Sequence, residues 1–338
     1  MRPNSLPQRP AKCYNVPTQE WPRMPRVRRA EMKEIPMNNM RRFAILPIAV
    51  LVLAACQPAD DDPSASAGGG AGGDTVCAGE TDGHLARICE AGEIRVSTDP
   101  AYPPQSFLNE ETGDYEGFDI DTALEIGERL GVDVVFTDPT FDAVVAGSWA
   151  DRWDMSVGSV TVTAEREEVL DFTQPYYFTP AQMSVLEDSD IQSLDDLAGQ
   201  VVCVGDTTTY LFWIEGTLNL PDSAGEIATP PEGLTSTTFP TDVDCAEAWR
   251  SGRTDDFQGW LTALPTAQGA IDSGDYPIRL VGDPVFFEPL AVGFDKAVED
   301  NDSLVEAVDQ IIGDMHEEGV LSGFSDEWYE GIDYTVTE

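Results

Sequence analysis

Residues 119–138 read "DIDTALEIGERLGVDVVFTD", and their reading decides the fold class. Ile120, Leu124, Gly127 and Leu130 recur at helical spacing, so the first half is predicted to be an amphipathic helix. Gly131 follows the last periodic residue, where helices commonly end in a left-handed conformation. The second half, "VDVVFTD", is short and β-branched, the composition of a strand.

The same alternation continues on both sides. "EIRVSTD" (93–99) reads as a strand, and "SFLNEETGDYEG" (106–117) as a hairpin turning at Thr112-Gly113-Asp114. "FDAVVAGSW" (141–149) is expected to be a helix and "DMSVGSV" (154–160) a strand. A second set follows: a strand at "VVCVG" (201–205), a helix from about Thr208, a helix at "DVDCAEAWRSG" (242–252), a strand at "FQGWL" (257–261) and a helix through Ile271. Strands alternating with helices imply parallel sheets in an α/β fold. Leu304, Val305, Val308, Ile311, Ile312 and Met315 form a stripe at helical spacing with no polar exception, which is a packing face rather than a ligand box.

Two extended aromatic runs, "DFTQPYYFTPAQMSVL" (171–186) and "VFFEPLAVGFDK" (285–296), separate and follow the second set. Two βα sets joined by two extended crossings imply two lobes with a pair of hinge strands. The boundaries expected are 77–182 plus 290–338 for one lobe and 183–289 for the other. A cleft between such lobes is a usual place for a small-molecule site.

Charge excludes one class of partner. Of 19 basic and 62 acidic residues, the first 55 positions hold 10 and 3, leaving 9 against 59, a net of −50, from position 56 onward. Such a surface repels phosphate backbones, so nucleic-acid binding is not expected. Large uniform charge favours solubility at the cost of self-repulsion, a compromise typical of life in high salt and also met in acidic secreted proteins.

The amino-terminal region reads as targeting. In "MRRFAILPIAVLVLAAC" (40–56), a positive start precedes a 13-residue apolar run from Phe43 to Ala55. That run is short of the roughly 20 residues that span a bilayer and has the form of a signal peptide (40–55). "LAAC" resembles the lipobox of bacterial lipoproteins, with Cys56 as the lipidated first residue; a plain secretory signal is the alternative. Residues 1–39, rich in Pro and Arg, read as a mis-called start. Residues 56–76, rich in Gly, Ser, Ala and Asp, read as a flexible tether.

Cys77, Cys89, Cys203 and Cys245 remain once Cys13 and Cys56 are set aside. None forms a C-x-x-C pair and there are two histidines, so no metal site is expected. An even number in an exported domain favours disulfides. Three connectivities are open, and proximity favours Cys77 with Cys89 and Cys203 with Cys245.

"GSVTVTAER" (158–166) is the candidate site motif. Strand alternation places Ser159, Thr161 and Thr163 on one side, and Thr163 is suited to cap the turn "AEREE". Small hydroxyls followed by Arg166 suit a carboxylate, to which a guanidinium offers two parallel N–H donors. The plainer reading pairs Arg166 in solvent with Glu165, Glu167 or Glu168.

"STDPAYPPQSF", "GFDIDTALEIGERLG", "GSVTVTAER", "LDFTQPYYF", "SLDDLAGQVVCVGDTTTY" and "MHEEGVLSGFSDEWYEG" occur in the order seen in family 3 of the bacterial extracellular solute-binding proteins. The chain resembles that family over about residues 93–331. The resemblance implies a periplasmic-binding-protein-like (type II) α/β fold whose two lobes close on a polar amino acid. It implies that Arg166 clamps the ligand α-carboxylate with Ser159 and Thr161 as partners. It matches Thr208 to the Thr of a Gly-Thr motif, with Thr207 in place of the glycine. Tyr102 and Phe141 match positions that sandwich the ligand side chain, and Asp99 an acid near its end; plainer readings make Phe141 core and Asp99 a turn cap.

One stretch departs from the family. An acid that holds the ligand ammonium is expected five residues beyond Asp255, and in "GRTDDFQGWLT" (252–262) that position is Trp260. Asp256 or Gln258 is a substitute if the register slips. Trp260, with Trp149 or Trp213, otherwise offers a π face to a delocalised or quaternary cation such as an ectoine-like or betaine-like solute, or is simply lobe core.

Three functions compete. The first is a lipid-anchored, monomeric receptor, without cofactor, that delivers a small zwitterionic ligand to a membrane ABC permease. The second is an enzyme of the cyclohexadienyl-dehydratase or lytic-transglycosylase type, which needs a pocket acid of tuned pKa; no pocket Glu stands out in the sequence. The third, a sensor domain of a signalling receptor, is disfavoured by the lack of a membrane-spanning run downstream to Glu338.

Overall fold

The helix and strand expected over 119–138 form. Helix Phe118–Leu130 ends at Gly131, whose φ of 87° is left-handed and whose N–H bonds the carbonyls of Gly127 and Glu128. The computed structural model describes residues 75–79 and 81–336. The signal-like run, Cys56 and nearly all of the 56–76 tether lie outside the described residues.

Along the chain come α1 (Gly83–Ala91), β1 (Glu93–Ser97), the short strands β2 (Ala101–Tyr102), β3 (Ser106–Leu108) and β4 (Tyr115–Glu116), α2 (Phe118–Leu130), β5 (Asp133–Thr137), α3 (Phe141–Val145), β6 (Met155–Thr161), β7 (Leu170–Phe172) and β8 (Tyr177–Leu186). Then follow β9 (Val201–Gly205), α4 (Thr209–Glu215), β10 (Thr235–Phe239), α5 (Val243–Arg250), β11 (Gly259–Ala263), α6 (Leu264–Ser273), β12 (Ile278–Asp295), α7 (Asp302–Glu317) and α8 (Val320–Trp328).

β5, β1 and β6 are parallel neighbours on one side, and β10, β9 and β11 on the other. Between them run β8 and β12, antiparallel to each other from Leu290↔Tyr177 to Ile278↔Leu186, with a bulge between Val281 and Phe286. β12 also pairs with β6 and β8 with β11, so these two long strands belong to both lobes and join them. This is the two-lobed α/β fold with two hinge strands. Glu288 lies in the middle of the hinge ladder, opposite Thr179.

Each lobe has its own core. Ile94, Val96, Phe118, Ile126, Met155, Phe294 and the buried stripe of α7 pack together in the first. Val202, Val204, Trp213, Leu261 and Phe286 form one cluster of the second, while Cys203, Cys245, Trp249, Phe257 and Trp260 form another. Each large apolar side chain removed from water contributes roughly 1.5–3 kcal/mol. β9 is a near-continuous apolar run because it lies between parallel neighbours with both faces covered.

Several elements differ from expectation. The helix at 141–149 stops at Val145, because Gly147 and Ser148 turn left-handed at φ 64° and 55°. Leu124 is 48% exposed rather than packed, since the buried stripe of α2 is centred on Ala123, Ile126 and Leu130. α1, β10 and α8 were not foreseen. α1 is fastened by its disulfide and by packing of Leu85 and Ile88 against the first core.

The two disulfides, Cys77–Cys89 and Cys203–Cys245, span 12 and 42 residues. Loop-closure entropy assigns them about 3 and about 4 kcal/mol. Chemical unfolding of the paired alanine variants is expected to show the larger loss for Cys203→Ala/Cys245→Ala. Equal losses would contradict the entropic account.

Candidate functional site

Arg166 is placed by its own strand. β6 ends at Thr161, Thr163 turns the chain, and the Arg166 N–H donates to Thr163 Oγ1 at 3.2 Å. The flanking Glu165, Glu167 and Glu168 are exposed while Arg166 is 3% exposed, which removes the solvent ion pair. One Nη1 N–H donates to the Thr161 carbonyl at 2.9 Å and one Nη2 N–H to the Thr207 carbonyl at 3.1 Å. Nε–H is buried and unpartnered. Of the five N–H groups of a guanidinium, three are therefore free, and its ring neighbour is Phe141, 5.1 Å from Cζ. Burial lowers the pKa of Arg166 from its ordinary value to about 10, with Glu288 and Glu165 opposing.

Asp99, Tyr102, Phe141, Ser159, Thr161, Arg166 and Thr208 all line one cavity of about 50 Å³ between the lobes. They come from the end of β1, β2, the start of α3, β6 and the N-cap of α4. The lobes also touch through the hydroxyls of Tyr102 and Tyr210 at 3.1 Å, and through Gln105 Nε2, which donates to Thr266 Oγ1 at 3.1 Å. Asp99 accepts from the Ala101 N–H at 2.8 Å, so it caps a turn and lines the cavity at once.

The same cavity contains Thr209, which with Thr208 begins α4, and residues that sequence reasoning missed: Asp206, Tyr210, Thr241, Asp242 and Glu288. Glu288 is buried on the hinge strand, and both of its oxygens are occupied. Thr161 Oγ1 donates to Oε1 at 2.8 Å, Thr209 Oγ1 donates to the same oxygen, and Tyr210 Oη donates to Oε2 at 2.6 Å. Burial raises the pKa of Glu288 while these three hydroxyls oppose the shift. The expectation that no glutamate marks the pocket is thereby corrected. A lone acid inside the apolar run "VFFEPLAV" was the available signal, because a buried carboxylate requires partners.

Asp242 is the second buried acid. Its Oδ1 accepts from the Gly205 N–H at 2.6 Å and Oδ2 from Thr262 Oγ1 at 3.1 Å. Only glycine fits at 205, since a Cβ there would lie 2.2 Å from Asp242 Oδ1. Burial pushes the Asp242 pKa up to about 8, helped by the charges of Glu288 and Asp99. Behind the cavity Asp119, buried, accepts from Ser159 Oγ and Tyr176 Oη, each at 2.7 Å, and burial raises its pKa to about 7.

Trp260 is not brought to the cavity. It is fully buried beside Cys203, Cys245 and Phe257, because its face of β11 packs against α5 and α6. Trp149 and Trp213 are buried in other apolar clusters, so none of the three offers a π face there. Two residues beyond Trp260, Thr262 instead reaches Asp242. The hydroxyls of Ser159 and Thr161 face Asp119 and Glu288 rather than open space. Alternation breaks at Ser159, whose φ is 56°. Thr207 adopts φ 60°, a conformation costly for a β-branched residue, and its carbonyl is one of the two that Arg166 grips. Among the described residues no group of His, Cys, Asp and Glu is placed to hold a metal ion, and no helix is long and apolar enough to cross a membrane.

A hinged pair of α/β lobes closing over one buried cation and several acids is the architecture of a solute-binding protein. The chain belongs to the bacterial extracellular solute-binding proteins, family 3, which it matches over residues 94–331. It is 27% identical to the L-cystine-binding protein TcyJ of Escherichia coli (strain K12), over 75% of this chain and 88% of that one. It is 26% identical to the probable amino-acid-binding protein YxeM of Bacillus subtilis (strain 168), over 72% and 85%. An ancestral arginine-binding protein bound to arginine superposes with a TM-score of 0.60 at 25% identity, covering 70% of this chain and 98% of that one. The ancestral amino-acid-binding protein AncCDT-1, a precursor of cyclohexadienyl dehydratase, superposes at 0.61 with 26% identity, covering 73% and 99%.

Because the folded pKa of Asp242 is raised above its ordinary 3.8 to about 8, the folded state holds a proton that the unfolded state has released. Between about pH 4 and 8 this group makes stability fall as pH rises, by up to about 1 kcal/mol per unit. Thermal melts of the ligand-free protein are expected to show a flatter decline over that window for Asp242→Asn than for the wild type. Identical profiles would place the charge of Asp242 in water.

Proposed function

We propose that the chain is the receptor of an ABC importer and captures an α-amino acid by closing its lobes, here assigned to residues 77–182 plus 290–338 and 183–289. The observation that supports this most is Arg166, a buried guanidinium in the wall of the inter-lobe cavity with three N–H groups left unpartnered. A ligand carboxylate satisfies those donors, and Arg suits bidentate recognition of it. The ammonium of the same ligand belongs beside Asp242, a buried acid that lines the same cavity. Glu288 links both lobes through the hinge and favours the closed arrangement.

Cys56 as a lipid anchor and residues 56–76 as a tether complete the proposal, holding a monomeric receptor near a membrane permease. The anchoring reading rests on the "LAAC" motif. The ectoine-like and betaine-like alternatives lose their motivation with Trp260 in the core. A dehydratase-type enzyme is the second reading, motivated by the buried Glu288 and Asp242. Against it, both oxygens of Glu288 are taken up as acceptors of three hydroxyl hydrogen bonds.

Calorimetric titration with a panel of L-α-amino acids is expected to reveal a binder, with Arg166→Ala reducing affinity by at least roughly 100-fold, as loss of a buried charge partner does, at unchanged circular dichroism. Retained affinity in that variant would sink the carboxylate clamp. Turnover of a bound amino acid would favour the enzyme instead.

A further inference from the structure

The strand that carries Arg166 is interrupted where it meets the cavity. β6 pairs with β12 at Ser156↔Gly293 and again at Val160↔Ala291, so Val157, Gly158 and Ser159 span an interval that Val292 alone spans on the partner strand. This is a bulge, a device that re-aims side chains beside a site. Its strain falls on Ser159, whose φ of 56° is left-handed and whose N–H donates to the Tyr176 hydroxyl at 3.2 Å instead of to a neighbouring strand. Gly158 and Ser159 line the cavity, and Thr161 and Arg166 follow them along its wall.

Asp119, on α2, holds that bulge from behind. It is fully buried and does not itself line the cavity. Its Oδ2 accepts from Ser159 Oγ and its Oδ1 from Tyr176 Oη, the same hydroxyl that receives the Ser159 N–H. Both polar handles of Ser159 therefore lead to one carboxylate. A serine hydroxyl has a single hydrogen; that of Ser159 goes to Asp119, so Tyr177 Oη donates to Ser159 Oγ at 2.5 Å. The surroundings are otherwise aromatic, with Phe118, Tyr176, Tyr177 and Tyr329 packed together. Burying a carboxylate there is costly, and a well-packed apolar residue would serve the core at least as well. Stability of the lobe does not account for the acid; the shape of β6 does.

We propose that Asp119 is a positioning residue for ligand capture: through the hydroxyl and, by way of Tyr176, the amide of Ser159, it fixes the bulge at 157–159 and with it the cavity wall that leads to Arg166. A left-handed non-glycine residue persists only while its contacts over-determine it. Asparagine at 119 offers one acceptor oxygen where two hydroxyls donate, so one contact is lost and β6 is free to relax toward regular pairing with β12. The proposal rests on the receptor reading above and adds to it a residue that acts without touching the ligand.

The test uses the full folded chain well above pH 7, where the Asp119 carboxylate is ionised. Without ligand, hydrogen–deuterium exchange is expected to quicken across β6 in Asp119→Asn while α7 keeps its protection. Calorimetry with L-arginine, L-glutamine, L-histidine and L-cystine as probes is expected to show Asp119→Asn weakening the tightest of them at least roughly tenfold, the scale of one hydrogen bond to a charged group. Tyr176→Phe keeps the ring stacked on Phe118 and removes only the link to the Ser159 amide, so a loss of roughly fivefold is expected; this variant carries the test if Asp119→Asn does not fold. In a Ser159→Gly background, where glycine leaves the left-handed φ accessible, Asp119→Asn is expected to add less than roughly twofold, because residues acting through one another are not additive. Unchanged exchange in β6, wild-type affinity in the folded variants, or additive losses would overturn the proposal and leave the receptor reading in place. Binding of none of the four probes by the folded wild type would overturn both.

Discussion

A carboxylate taken out of water must be given partners, and the partners of Glu288 come from both halves of the molecule. Thr161 belongs to β6 in one lobe, Thr209 and Tyr210 to α4 in the other, and Glu288 itself to the strand that joins them. A buried carboxylate left without donors is strongly destabilised. The three hydroxyls therefore tie both lobes to the acid at the centre of the hinge. Tyr210 extends the chain of contacts to Tyr102. The acid at the pivot is thus connected to residues that line the cavity from both lobes.

Around that pivot the backbone accepts strain. Thr207 sits at φ 60° and Ser159 at φ 56°, each in a conformation usually left to glycine. Both serve charged groups: the Thr207 carbonyl receives Arg166, and the Ser159 hydroxyl donates to Asp119 while its N–H donates to Tyr176 Oη. Strained residues persist only where surrounding contacts over-determine them, and here those contacts are hydrogen bonds to buried acids and a buried base. Gly205 shows the opposite solution, a residue with no side chain so that Asp242 can approach its amide.

What the sequence made legible follows from range. Helices and strands with strong periodicity, such as those over 118–137, are local properties, and the hinge strands announced themselves as long apolar runs. Arg166 was readable because strand, cap and guanidinium lie within nine consecutive residues. Asp242 and Glu288 were not, because their meaning depends on Gly205, Thr262 and α4, which are distant in the chain. Trp260 misled because counting from Asp255 says nothing about what packs on β11: Trp260 meets α5 and α6, and on the same face, two residues nearer the end of the strand, Thr262 reaches Asp242. Leu124 was assigned to the core for a similar reason: several stripes fit one helix, and only the packed partner chooses among them.

The distribution of positive charge carries the last step. Downstream of residue 55 the chain has nine basic residues against 59 acidic ones, so cations are scarce and their placement is informative. Arg95, Arg129, Arg250, Arg253 and Lys296 pair with carboxylates at 2.5–3.4 Å. Arg166 is the only buried arginine or lysine among the described residues, and its two bonds are to carbonyls, not to an acid. Burying a cation without a paired anion costs several kcal/mol, and the fold tolerates this while Glu288, close enough to raise its pKa, stays committed to three hydroxyls. A protein with abundant acids could have neutralised that guanidinium by substitution at almost any neighbouring position. That it remains unpaired in the wall of the cavity is the ground on which the proposal of an external carboxylate stands.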